Sequence, residues 1–167
     1  MRRSAGLLLY RTGGREGLEV LLAHMGGPLW ASRDAGAWSI PKGEHDGEEE
    51  PLDAAIREFA EELGSPPPPG RPMPLGEVRQ TGGKRVTAFA LRADFDAGAA
   101  RSATFEMEWP PRSGRMRWFP EIDRAAWMPV ARARKALVPA QREFLDRLHV
   151  LIDGPAAPAS VSRGAAD

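Results

Sequence analysis

Residues 51–63, PLDAAIREFAEEL, constrain the fold of this chain more than any other stretch. Pro51 suits a first helical position, where its missing N–H costs nothing, and Gly64 suits the stop that ends a helix. Between them Leu52, Ile56, Phe59 and Leu63 recur at three- and four-residue intervals and predict a buried stripe. Glu58, Glu61 and Glu62 stand three and four residues apart, so all three carboxylates share one helical face.

The flanking segments predict a sheet for this helix to lie on. Residues 5–11 (AGLLLYR) and 18–24 (LEVLLAH) read as apolar strands, joined through Gly13, Gly14 and Gly17 into a hairpin. Gly26-Gly27-Pro28 breaks the second strand, and residues 30–41 read as an irregular loop. Beyond the helix, four prolines at 66–69 and Gly70 form an extended surface connection. Residues 75–80 and 84–94 read as strands, 97–115 as an ordered loop and 116–119 as a short strand. Residues 130–137 and 140–152 read as helices, the second with Phe144, Leu145, Leu148 and Leu151 on one side. The order predicts one α/β domain over 1–152, its sheet between helices. From 153 to 167 the Pro, Ala and Ser content predicts a disordered tail.

Composition narrows the class. With 167 residues the chain is long enough to bury a proper core and too short for two ordinary domains. No apolar run is long enough to span a bilayer, and the N-terminus has no signal-peptide hydrophobic region. A cytoplasmic location fits these absences. Without cysteine there is no disulfide framework, thiolate nucleophile or Cys-based zinc site. The formal net charge is zero, which supplies no basic field for a nucleic-acid partner. That zero conceals an acidic stretch at 44–62 within an arginine-rich chain. Such a stretch is either a solvated face or a cation site. Glutamates at these spacings repel by a few tenths of a kcal/mol per pair, and Arg57 offsets only part of it. A divalent cation is the larger counter-charge, and oxygen ligands without His or Cys favour Mg²⁺, or Mn²⁺, over zinc.

The full spacing decides between these readings. Gly43, five residues, Glu49, seven residues, then Arg57-Glu58-Phe59-Ala60-Glu61-Glu62-Leu63-Gly64 resembles the complete Nudix box. Ser65, where the family usually has an aliphatic residue, is the single departure, and it bears on packing after the helix. With the strands before and after the box, the resemblance covers residues 5–150 and implies the Nudix fold, an α/β/α sandwich with a central mixed β-sheet between helices. It implies Glu58, Glu61 and Glu62 as metal ligands, with the Gly43 carbonyl beside them. The general base is the first glutamate in some members and a downstream one in others, so both remain open. Arg57 is expected to orient Glu58, with Glu49 tying the loop to Arg57 and Gly64 closing the helix. A further acidic ligand is expected from a later loop: Glu121, with Glu106 and Glu108 as competitors.

Trp38-Ser39-Ile40-Pro41-Lys42-Gly43 runs straight into the box. This lead-in is similar to that of Nudix enzymes acting on diadenosine polyphosphates and diphosphoinositol phosphates. Lys42 is placed to meet a phosphate as a point charge, and Arg79 and Lys84 flank a hairpin able to line the same cleft. The resemblance implies a small nucleotide substrate, first a dinucleoside polyphosphate such as diadenosine tetraphosphate, cleaved to ATP and AMP. Two alternatives are a triphosphate pyrophosphohydrolase that sanitises the nucleotide pool and a non-catalytic nucleotide sensor. The three repelling glutamates speak against the sensor. A monomer and a homodimer are both compatible with the sequence. Trp30, Trp109 and Trp118 are candidate stacking groups for a base, and His24 could reach the site from its strand end.

Overall fold

The computed structural model describes residues 2–154. A mixed sheet is built from β1 (Arg3–Gly14), β2 (Gly17–Met25), β3 (Trp38–Ser39), β4 (Lys42–His45), β5 (Met73–Arg79), β6 (Arg85–Arg92) and, from further along the chain, Ile122–Pro129. Helix α1 (Pro51–Leu63) matches the expected span. A separate two-stranded hairpin is formed by β7 (Thr104–Glu108) and β8 (Met116–Pro120), and Ile122–Pro129 is therefore β9. Helices α2 (Val130–Ala136) and α3 (Arg142–Asp153) close the described chain. Residues 155–167, most of the expected tail, lie outside the described residues; Asp153 itself ends α3.

The strand order β3-β2-β1-β6-β5 has one parallel pair, β1 with β6, and β9 extends the sheet beyond β2. β1 and β2 pair around Tyr10–Val20 and Arg11–Glu19 and then part. Into the opening come β3, on Ala23 and His24 of β2, and β4, on Arg3 to Gly6 of β1. The Leu7 N–H donates to the Pro41 carbonyl at 3.1 Å and pins the bend between those two short strands. That wedge carries the Trp38–Gly43 lead-in to the centre of the sheet.

Period-two alternation sorts the Leu7-Leu8-Leu9 run between two cores. Ala5, Leu7 and Leu9, with Leu21 and Ala23, pack under α1 against Ala54, Ala55, Phe59 and Leu63. Leu8, Val20 and Leu22 face the other way, against Ala133, Ala136, Leu137, Phe144, Leu145 and Leu148 of α2, α3 and the turn between them. The expected α/β/α sandwich is the observed architecture.

Four expectations change. Residues 30–41, read as an irregular loop, contain the short strand β3. The buried stripe of α1 runs through Ala55, Phe59 and Leu63, four residues apart, and Ile56 is 38% exposed, lying one position round beside the polyproline segment 66–69. The 97–115 segment contains a strand, β7, whose partner β8 is the short strand expected at 116–119. β9 was not expected: Arg124-Ala125-Ala126 is helix-favouring, but β2 offers seven residues of antiparallel partner, and pairing overrides propensity.

Candidate active site

The loop from β4 into α1 is built by hydrogen bonds to its own acids. Asp46 Oδ1 accepts the N–H groups of Glu48 at 2.9 Å and Glu49 at 3.0 Å, a turn the sequence reading missed. The turn delivers Glu49 to Arg57. The guanidinium grips Glu49 with two bonds, Nη2–Oε1 at 2.8 Å and Nε–Oε2 at 3.0 Å, and gives Nη1 to Glu58 Oε1 at 2.8 Å. A weaker contact from Nη1 reaches Glu61 Oε1 at 3.3 Å. Arg57 thus bridges Glu49 and Glu58. Gly64 ends the helix at φ 80°, its N–H on the Ala60 carbonyl at 2.9 Å. A Cβ there would come within 2.5 Å of the Arg101 carbonyl oxygen, so both conformation and space require glycine.

Gly43 and Glu58 are in direct contact. A Cβ on Gly43 would fall 1.8 Å from Glu58 Oε2, so the carboxylate lies where any side chain would stand. Glu62, on the next turn, accepts the Lys42 N–H at 3.2 Å. Burial pushes the Glu62 carboxyl up to about 8, partly opposed by the Lys42 ammonium. Burial likewise raises Glu58, against the pull of Arg57, and the charge of Glu121 raises both. Glu61 is more open, its side chain 54% exposed.

Glu121 reaches this cluster through the backbone. Its N–H donates to the Ala103 carbonyl at 2.9 Å, and the Ala103 N–H donates to the Glu61 carbonyl at 3.4 Å. Glu106 and Glu108, the competing acids, are exposed on the β7–β8 hairpin, across from Trp118 and Met116.

Two cations border the acids. Burial lowers Lys42 to about 8, and the ammonium of Lys84 adds to the effect. Lys84 Nζ in turn sits 3.6 Å from Glu44 Oε1. Arg79 is exposed at the end of β5, opposite Arg85 and beside the turn that carries Lys84. Trp38 is core, its Nε1 donating to Asp34 at 2.9 Å, and His24 is buried with its ring nitrogens on Asp123 and the Arg33 carbonyl. Trp118 is 65% exposed on the hairpin.

Among the described residues no three acidic or imidazole groups converge into a finished metal cage. The donors nevertheless suit a hard divalent cation. The candidate donors are carboxylates and the Gly43 carbonyl, with no sulfur or imidazole, and burial penalises the charged form of Glu58 and Glu62, a penalty that a bound cation would relieve. The open space at Gly43 lets the Glu58 carboxylate lie against the backbone of β4.

The NUDIX domain model matches residues 1–148. Among solved structures, an Ap4A hydrolase of C. elegans in a binary complex superposes with a TM-score of 0.63 at 21% identity, covering 93% of this chain and 100% of that one. The NUDIX domain of Shewanella oneidensis NrtR, complexed with ADP ribose, gives 0.60 at 14% identity, with 90% and 87% covered. RenU, a Nudix hydrolase from M. smegmatis, gives 0.53 at 25% identity, with 93% and 88% covered. No curated protein sequence matches the chain. No helix among the described residues is long and apolar enough to cross a membrane.

Proposed function

The chain belongs to the NUDIX domain family, hydrolases of phosphorus-containing anhydrides, and from that premise we propose that it hydrolyses a dinucleoside polyphosphate, diadenosine tetraphosphate being the first candidate. The observation that carries the substrate reading is the pair of ammonium groups, Lys42 and Lys84, set against Glu62 and Glu44. Two neighbouring ammonium groups, one of them largely buried beside the acids, suit an anion with several charges, and a polyphosphate chain is one. The likeness to the C. elegans Ap4A hydrolase agrees with this.

Glu58, Glu61, Glu62 and Glu121, with the Gly43 carbonyl, would hold Mg²⁺ or Mn²⁺. The bound cation supplies charge neutralisation, polarisation of the phosphoryl oxygen and a more acidic water. Arg57 fixes the rotamer of Glu58, so the carboxylate is oriented before substrate arrives. Lys42 and Lys84 hold the non-reacting phosphates. A glutamate of α1, Glu58 or Glu61, takes a proton of the attacking water as the water oxygen bonds to phosphorus, the P–O anhydride bond breaks and the nucleotide beyond it leaves.

Product analysis tests the substrate. Diadenosine tetraphosphate with Mg²⁺ is expected to give ATP and AMP. Pyrophosphate release from nucleoside triphosphates, with the dinucleotide left intact, would replace this reading by pool sanitation.

A further inference from the structure

His24 is fully buried at the end of β2, yet both its ring nitrogens are engaged. Nδ1 lies 2.9 and 3.0 Å from the two carboxylate oxygens of Asp123, and Nε2 lies 2.6 Å from the Arg33 carbonyl oxygen. The ring meets Trp38 edge to face, with centroids 5.1 Å apart. Arg124 covers Trp38 at 5.1 Å from its centroid and stands 3.5 Å from Asp123. Both nitrogens therefore face oxygen acceptors, which requires a hydrogen on each or a proton shared with Asp123. An apolar side chain would fill the same volume without the desolvation cost of this polar assembly.

What the assembly joins explains it. Arg33 belongs to the connection between β2 and β3, and Trp38 begins the lead-in to Gly43. Asp123 is the bulged residue of β9: from His24 to Met25 the β2 strand advances one residue while its partners go from Arg124 to Ile122, two residues. A bulge of this kind re-aims side chains, and Glu121 lies just beyond it. On the other side Gly26 donates its N–H to the Glu121 carbonyl at 2.9 Å, and a Cβ on Gly26 would come within 2.0 Å of the Pro120 carbonyl oxygen. Glu121 is thus bracketed by two ties to the end of β2, His24–Asp123 and Gly26–Glu121. With both nitrogens engaged and no exposure, His24 cannot itself reach a ligand.

We infer that His24 is a positioning residue: through Asp123 it holds the bulge that sets Glu121 against Glu58 and Glu62. This rests on the reading of Glu121 as a metal ligand. The test is Mn²⁺ affinity by electron paramagnetic resonance for wild type, His24→Phe, Asp123→Asn, Glu121→Gln and the His24→Phe/Glu121→Gln double variant, each checked for folding by circular dichroism. Glu121→Gln is expected to weaken Mn²⁺ binding, and His24→Phe and Asp123→Asn to weaken it about 10- to 100-fold. The double variant is expected to be no worse than Glu121→Gln, because both changes remove one ligand. Wild-type affinity in folded His24→Phe and Asp123→Asn, or full additivity in the double variant, overturns the inference. If His24→Phe does not fold, His24→Gln and Asp123→Asn carry the same comparison. If Glu121→Gln binds Mn²⁺ like wild type, Glu121 is no ligand and the positioning role falls with it.

Discussion

At the scale of single residues, the site works by placing charge where the fold penalises it. Glu62 is held up to about 8 from 4.5 chiefly by burial. In the metal-free protein this group binds more protons folded than unfolded between those values, so its stabilising contribution is complete below 4.5 and is lost as pH rises through 8. The melting temperature of metal-free protein is therefore expected to fall across that window, and Glu62→Gln to flatten the fall. The depressed acids Asp46, Glu49 and Asp94 lose their contributions only at more acidic pH and do not confuse the result. A slope unchanged in Glu62→Gln would remove this residue as its source. Gly43 gives a second test. In Gly43→Ala the methyl meets the end of a flexible side chain, the Glu58 carboxylate, so that carboxylate gives way and the fold does not. Turnover is expected to drop about 100-fold, the cost of misplacing a reacting group, with the melt little altered. Equal loss of both would place Gly43 in the folding of β4 instead.

At the scale of elements, the helix α1 was legible because its signals are local, whereas β3 and β4, too short to show a period, fell within or just after what reads as a loop. Pro51, Gly64 and the glutamate spacing act within one helix, and Glu49 meets Arg57 across a single loop. What was not legible came from distant pairing. β9 has helix-favouring residues at its centre and becomes a strand because β2 accepts it; Glu121 was named from the resemblance, but its backbone tie to Glu61 through Ala103 was not. Arg79 and Lys84 flank the β5–β6 hairpin as expected, with Arg79 across from Arg85. The exposure of Ile56 follows from the rotation of α1 on the sheet, which the Ala54 and Ala55 contacts decide. Chemical denaturation checks that rotation. Phe59→Ala is expected to cost about 3–5 kcal/mol, and Ile56→Ala, at a partly exposed position, under about 1 kcal/mol. Comparable losses would return Ile56 to the buried stripe.

At the scale of the whole molecule, the sheet serves as a mount on which two remote segments meet. α1 lies on one face, α2 and α3 on the other, and the splayed ends of β1 and β2 admit the Trp38–Gly43 lead-in between them. β9 returns along the outer side of β2 to bring Glu121 to the glutamates of α1. The fold thus gathers acids from residues 58–62 and 121 beside the Lys42–Lys84 pair, a concentration of opposite charges suited to a metal and a polyphosphate together. The most direct measurement is turnover of a nucleotide panel, diadenosine tetraphosphate included, with Mg²⁺ or Mn²⁺ and again with EDTA. Hydrolysis at a phosphoanhydride bond that EDTA abolishes and metal restores is the expected result. Failure to turn over any member of the panel with either metal, or hydrolysis undiminished by EDTA, would contradict a metal-dependent hydrolase built on Glu58, Glu61 and Glu62.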